Sequence, residues 1–159
     1  MNKTKIKGYE ITISFLANKT SSFKNAYLYL NLNNEDDWAI INDEAMASYE
    51  KIIVKLEILE TKKTKFLFLK NTNIVFENKT ILINTFSERK FYKKSNNKVM
   101  LKDKLKEVNK RIDHLDALQK IGLNIDQFIE LKELKEKQYE LKMQQLLNLI
   151  EEDTTWVKK

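Results

Sequence analysis

The spacing of apolar residues changes near residue 88, and this change limits the folds open to the chain. Before it, apolar and polar residues alternate, as in Tyr9–Glu10–Ile11–Thr12–Ile13–Ser14–Phe15. After it, residues 98–152 repeat apolar side chains every three or four positions. Alternation is typical of strands with one buried face, and the longer repeat is typical of helices. The sequence therefore predicts an α+β protein, with an antiparallel β-meander of five or six strands followed by a long antiparallel helical hairpin.

The strands of the predicted meander are separated by turns rich in Asn, Ser and Thr. They cover residues 5–17, 26–32, 50–60, 65–70, 74–77 and 80–86, and the last two form a hairpin over Asn78–Lys79. Residues 50–60 also fit a helix, but their β-branched run favours a strand. A short helix is predicted near residues 36–48, because Asp43 is a suitable N-cap for the helix formers that follow it.

Two helices are predicted after the basic junction. The first runs from about Asn97 to Ile121 and is closed by Gly122; the second is capped by Asp126 and continues to about Glu152. The second helix carries more apolar surface than one partner helix covers, so either the sheet or a second copy packs against it. We expect residues 1–87 to form the sheet region and residues 88–159 the junction and hairpin, in one compact unit, and we expect a homo-oligomer through the helices.

The composition excludes several classes of protein. The chain of 159 residues contains no Cys, which excludes disulfides, thiolate metal sites and Cys nucleophiles. No apolar run approaches the ~20 residues that a membrane span needs, and the N-terminal residues do not resemble a signal peptide. We therefore expect an intracellular protein with no membrane contact.

Residues suited to catalysis are scarce. His114 is the single histidine, and its neighbours Asp113 and Leu115 point away from it on a helix. Gly8 and Gly122 are isolated, so neither belongs to a phosphate-binding loop. The sequence therefore predicts a protein that is not an enzyme and holds no cofactor and no metal ion.

Charge is segregated along the chain despite a modest net charge of +6. Residues 25–50 contain six carboxylates and no Lys or Arg, whereas residues 89–111 contain ten basic and two acidic residues. An aromatic residue beside carboxylates is a reasonable hot spot for protein binding; the alternative is an acidic loop with its Trp in the core. The candidate partner-binding residues are Glu35, Asp36, Asp37, Trp38, Asp43 and Glu44.

The basic segment is a candidate contact for nucleic acid or for an acidic partner. Its residues are Arg89, Lys90, Phe91, Tyr92, Lys93, Lys94, Lys98 and Lys102. Lysines interleaved with aromatic residues are used on single strands, and the excess of Lys over Arg favours attraction to phosphates over base reading. The alternative is the solvated, lysine-rich start of a helix.

The chain as a whole resembles phage anti-CRISPR proteins of the type II-A group, in particular an inhibitor of a staphylococcal CRISPR nuclease. The resemblance rests on the size, the Lys/Asn/Ile-rich composition, the opening Met1–Asn2–Lys3–Thr4–Lys5–Ile6–Lys7–Gly8–Tyr9, and a sheet followed by a charged helical hairpin. It implies a stoichiometric inhibitor in the cytoplasm of the bacterial host. Such an inhibitor binds the effector nuclease with its guide RNA and blocks the HNH nuclease domain or the activating domain movement.

Two other functions agree with the residues themselves. One is a phage nucleic-acid-binding or regulatory protein that uses residues 89–111. The other is an assembly adaptor built on the helices.

Overall fold

The computed structural model describes residues 8–152, which fall into two units. The first unit comprises the chain up to Lys94 and resumes at Glu151, and the second comprises Ser95–Ile150. The elements in chain order are β1 (Tyr9–Ser14), β2 (Thr20–Asn31), β3 (Ala39–Ile40), β4 (Ala45–Ile58), β5 (Lys63–Glu77), β6 (Thr80–Thr85), β7 (Tyr92–Lys94), α1 (Lys102–Gln119), α2 (Ile125–Leu147) and β8 (Leu149–Glu151). The predicted start of the first strand at Lys5 lies outside the described residues.

Five strands of the first unit close into a barrel. Successive members of the series β1, β2, β4, β5 and β6 pair antiparallel, and β1 pairs with β6 in parallel from Glu10↔Thr80 to Ser14↔Asn84. Because the strand direction reverses at each connection, the first and fifth strands point the same way, and the barrel closes only through a parallel pair. The predicted antiparallel meander followed by a long helical hairpin is therefore wrong.

The barrel interior is filled by one face of each strand. The alternation predicted for the first strand is confirmed, since Ile11, Ile13 and Phe15 are buried. In β2, Leu28 and Leu30 are buried. The wall of the interior is made by side chains from all five strands, namely Ile11, Ile13, Ala26, Leu28, Leu30, Ile52, Val54, Leu56, Leu67, Leu69, Ile74, Phe76, Ile81 and Ile83. Their removal from water is the main favourable contribution to the stability of this unit.

A bend divides β5, which the sequence predicted as two strands. Asn71 has a φ of 47° inside the strand, a backbone conformation that Asn tolerates better than most residues. Beside the bend, the Thr85 hydroxyl contacts that of Thr72 at 2.9 Å and donates to the Lys70 carbonyl at 3.0 Å, while the Lys70 N–H donates to Ser87 Oγ at 2.8 Å. These buried hydroxyls bond backbone groups beside the bend, where the Lys70 carbonyl also accepts from the Phe86 N–H at 3.2 Å.

Local predictions in the barrel have mixed outcomes. The hairpin over Asn78–Lys79 is confirmed, with φ values of 54° and 59° that suit a tight two-residue turn. Residues 50–60 are in strand up to Ile58, as predicted. The helix predicted near residues 36–48 is wrong, because Ala45–Ala47 pair with β5 and residues 39–40 pair with β2. Cross-strand pairing here overrides local helix propensity.

The helical unit is smaller than the sequence predicted. α1 begins at Lys102 rather than near Asn97, and it ends at Gln119. The second helix is capped by Asn124 in a reciprocal capping box with Gln127, and not by Asp126. The core between the two helices is formed by Ile112, Leu115 and Leu131. Partly buried apolar side chains surround it, namely Val108, Leu118, Leu123 and Leu134.

Asn148 explains why α1 begins later than predicted, at Lys102, and why α2 ends earlier than the predicted Glu152, at Leu147. It adopts a left-handed conformation that ends α2, so the chain leaves the helix before β8. Its side chain accepts from the Val99 N–H and donates to the Ser95 carbonyl, and its own carbonyl accepts from the Ser95 N–H at 2.9 Å. These bonds hold the segment before α1 in a non-helical form, and they bring the two ends of the unit together.

The buried hydroxyls beside the bend give a test of this account. Replacing Thr85 by Val keeps the shape but removes the donor to Lys70, so we expect the free energy of unfolding to fall by about 1–3 kcal/mol. Chemical denaturation measures this loss. The matched variant Thr20→Val, at an exposed strand position, should stay within about 0.5 kcal/mol of the parent; equal losses in the two variants would contradict the role of the hydroxyls.

Candidate functional site

Aromatic and basic side chains line up across four strands on the outer face of the barrel. Strand register places Tyr29 opposite Lys55, Lys55 opposite Phe66, and Phe66 opposite Tyr92. The Lys55 ammonium lies 4.5 Å from the centre of the Tyr29 ring, within the range of a cation–π interaction. No local sequence pattern groups Tyr29, Lys55 and Phe66, because their proximity depends on strand register.

Trp38 from the acidic segment packs against this row. Its ring lies 5.6 Å from Phe66, edge to face, and 5.1 Å from the Lys55 ammonium. The indole N–H donates to Asp36 Oδ1 at 2.9 Å. Trp38 is thus neither in the barrel interior nor fully exposed, and it fixes the acidic loop on the outer face of the barrel.

The acidic residues do not form one surface cluster. Asn31 is buried and bonds the loop backbone at Asn34 and Glu35, while Asp37 accepts from the Asn33 side chain at 3.2 Å. Glu44 instead accepts from the Asn78 N–H at the β5–β6 turn, and Asp43 is exposed just before β4. Binding of a partner by Glu35, Asp36 and Asp37 stays a prediction.

The start of the basic segment is built into the barrel. Phe91 stands edge to face with Phe15 and Phe23, each at 6.1 Å between ring centres, and Lys65 lies over it at 5.2 Å. Tyr92 is buried and contacts Phe68 at 4.9 Å. A nucleic acid base cannot stack on Tyr92 in this arrangement, because the ring is covered.

The charged neighbours of these rings also have partners within the barrel unit. Arg89 donates to the Thr20 carbonyl at 3.2 Å, and Lys90 lies 3.8 Å from Glu151. Lys94 lies over the Phe66 ring at 5.7 Å, and Lys93 is exposed on β7. The structure therefore places Lys94 and Trp38 at the same ring, although the sequence assigned them to surfaces of opposite charge.

The last two predicted basic residues line an open groove in the helical unit, which we call the lysine groove. Its volume is about 440 Å³, and it is lined by Lys98, Val99, Met100, Lys102, Leu105, Lys106, Asn109 and Gln145. Asn109 accepts a hydrogen bond from Gln138, and Gln145 accepts one from the Leu101 N–H. The amide oxygens are thus already engaged, and the other lining residues are three lysines and three apolar residues. We call the apolar residues Val99, Met100 and Leu105 the apolar floor.

Part of this groove is readable from the sequence. Lys98, Lys102 and Lys106 recur every four residues, and within α1 such spacing places side chains on one face. The contribution of Gln145 has no local signal, because it comes from the end of α2. Of the apolar floor, Leu105 belongs to the helical repeat of apolar residues, and Val99 and Met100 precede α1, so no local pattern groups the three.

Residues 8–152 include the single histidine of the chain. His114 is exposed, and no group of three or more His, Cys, Asp or Glu side chains in this range is arranged to hold a metal ion. A bidentate bond from Arg111 lowers the pKa of Glu130, and this pair joins the two helices at the surface. No helix in the same range is long and apolar enough to cross a membrane.

Tyr29 provides a spectroscopic test of the aromatic row. Burial, and then its hydrogen bond to Glu57 at 2.8 Å, raise the pKa of Tyr29 to about 12. The folded state holds the Tyr29 hydroxyl proton more tightly than an unfolded chain, in which the pKa of tyrosine is near 10. The contribution of the protonated Tyr29 to the free energy of unfolding is therefore complete below about pH 10. It is lost as the pH rises towards about 12.

We expect the difference in tyrosinate absorbance between the parent and Tyr29→Phe to rise with pH and to have its midpoint near pH 12. Tyr27→Phe, on the same face of β2, is the matched control. A Tyr29 difference curve centred near pH 10 would contradict the burial and the bond to Glu57.

Comparison with known proteins covers both units. Residues 10–90 match the family model described as the UU051 N-terminal domain, and residues 102–152 match that of the "Uncharacterised protein UU051 C-terminal domain". A relative from Ureaplasma parvum serovar 3 (strain ATCC 700970), named "Uncharacterized protein UU051", is 38% identical over 149 residues, covering 90% of this chain and 88% of its own length. The chain belongs to the UU051 family.

Proposed function

We propose that this chain is a non-catalytic binding protein that holds an acidic, amphipathic segment of a partner protein in the lysine groove. The observation that supports this most directly is the composition of the groove. Lys98, Lys102 and Lys106 border an apolar floor that includes Met100 and Leu105. Carboxylates on a partner suit the lysines, and apolar side chains between them suit the floor.

The floor favours a protein segment over a nucleic acid. Proteins that bind single strands stack the bases on aromatic rings, and the residues that line the groove include none. Met100 is 71% exposed, and methionine is common at surfaces that adapt to apolar partners. The long aliphatic stems of the lysines extend the same apolar surface.

The spacing of the lysines fits a helical partner. Lys102 and Lys106 are one turn apart in α1, which corresponds to about 6 Å along the axis. Carboxylates four residues apart on a partner helix have the same separation. A partner helix with Glu or Asp at such positions therefore presents charges in register with these lysines.

The sequence resemblance suggests a CRISPR effector nuclease with its guide RNA as such a partner, bound through its nuclease (HNH) domain. This identity is a separate proposal, and it rests on the resemblance alone. A plasmid-cleavage assay tests it, and full cutting at excess inhibitor would contradict it. The absence of Cys and the bacterial relative support the bacterial cytoplasm as the place of action.

Binding of model peptides tests the groove. The probe is a fluorescent 16-residue helical peptide of Leu and Glu with Leu on one face, compared with its Glu→Gln analogue and with a 20-nucleotide oligo-dT. We expect the Leu/Glu peptide to bind. The variant Lys98→Glu/Lys102→Glu/Lys106→Glu should weaken this binding roughly 5- to 150-fold, which corresponds to about 1–3 kcal/mol for three exposed ion pairs.

Two controls separate the groove from general charge effects. Reversing the exposed barrel residues Lys19, Lys24 and Lys63 changes the net charge equally but should leave peptide binding within about threefold. Met100→Asn should weaken the peptide and spare any binding of oligo-dT. If oligo-dT binds more tightly than the peptide and is lost in the groove variant, the proposal is overturned in favour of nucleic acid.

A further inference from the structure

The tip of the helical unit carries an exposed apolar patch that the lysine groove does not use. Its members are Ile121, Ile125, Phe128 and Ile129, which are 86%, 75%, 58% and 48% exposed. We call these four residues the tip patch. Large apolar side chains grouped in this way on a surface mark a site of association more often than scattered ones do.

The tip patch is distinct from the surface that joins the two helices. Ile125, Phe128 and Ile129 follow spacings of three and four, so they share one face of α2. Leu131 and Leu134 lie on a different face and pack against α1. The exposed face is therefore apolar surface that the packing of the two helices does not use.

The charges around the tip patch point to a second copy of the same chain. The exposed charged residues next to the patch in sequence comprise two positive and two negative side chains, namely Lys120, Lys132, Asp126 and Glu133. A strongly acidic or basic partner gains little from such a border. A two-fold axis through the patch sets the same surface against itself, so that lysines of one copy can meet carboxylates of the other.

The size of the tip patch sets the strength of the association. The largest apolar patch on a typical monomer exposes about 300–600 Å². Two copies joined through a four-residue patch of this order would bury roughly 1,000 Å² or less, at the low end for specific interfaces. We infer that the tip patch joins two copies of this chain in a weak, reversible dimer. Because the patch and the lysine groove lie at opposite ends of α1, each dimer presents two grooves.

Sedimentation equilibrium of the full chain tests the dimer. Between about 5 and 500 µM, we expect the average mass to rise from 18.9 kDa towards twice that value, with a Kd in the range of about 10–500 µM that a small interface implies. The variant Ile125→Glu/Phe128→Glu should remain monomeric throughout. Circular dichroism should show an unchanged fold, since both positions are exposed.

Matched changes on the barrel make the test specific. Leu82→Glu/Phe86→Glu alters two side chains that are 47% and 65% exposed, and it should leave the dimer intact. Because the chain has no Cys, Ile129→Cys introduces a single thiol. With dissolved O₂ as the oxidant that takes up the two electrons and two protons, this thiol should form a disulfide between copies faster than Leu82→Cys. A monomeric parent at 500 µM, or equal cross-linking of the two thiols, would overturn the inference whatever the result for the lysine groove.

Discussion

The parallel pairing of β1 with β6 is the constraint on which the barrel unit depends. With five strands in alternating directions, an antiparallel closure is impossible, and without closure the first and last strands would expose their edges to other chains. The closed ring also brings the entry of β1 close to β2. A side-chain carbon at Gly8 would lie 2.6 Å from the Ala26 nitrogen, so this approach requires glycine, and the Gly8 N–H donates to Asn25 there.

Closure of the barrel also determines which side chains lie on its outer face. The interior accepts only one side of each strand, so Tyr29, Lys55 and Phe66 are left on the other side in matching register. Trp38 and Lys94 then meet at Phe66 from different parts of the chain. These contacts cover much of the aromatic surface that the sequence suggested as a ligand-binding surface.

The sequence predicts the features that depend on near neighbours and misses those that depend on distant ones. Alternation located the buried face of β1 and β2, and Asn78–Lys79 located a turn. The pairing of residues 10–14 with residues 80–84 has no local pattern, so the closed barrel was missed. Asn148 was also overlooked, because an isolated Asn within an apolar repeat does not by itself end a helix.

The same division applies to the candidate site. The repeat of Lys98, Lys102 and Lys106 is visible in the sequence, whereas Gln145 joins the groove only through the folding of α2 onto α1. The lysine repeat is therefore a local signal for part of the groove, whereas no local signal marks the apolar floor beside it.

The bonds of Asn148 bear on the evolution of the helical unit, because they concern the positions of its two ends. By bonding to Ser95 through both side chain and main chain, it holds the first residue of the helical unit beside residues close to the end of that unit. Chains tolerate insertion of a unit with adjacent ends, because such a unit leaves the positions of the flanking residues unchanged. Its local contacts also let the helices form independently of the slow, long-range ring closure during synthesis.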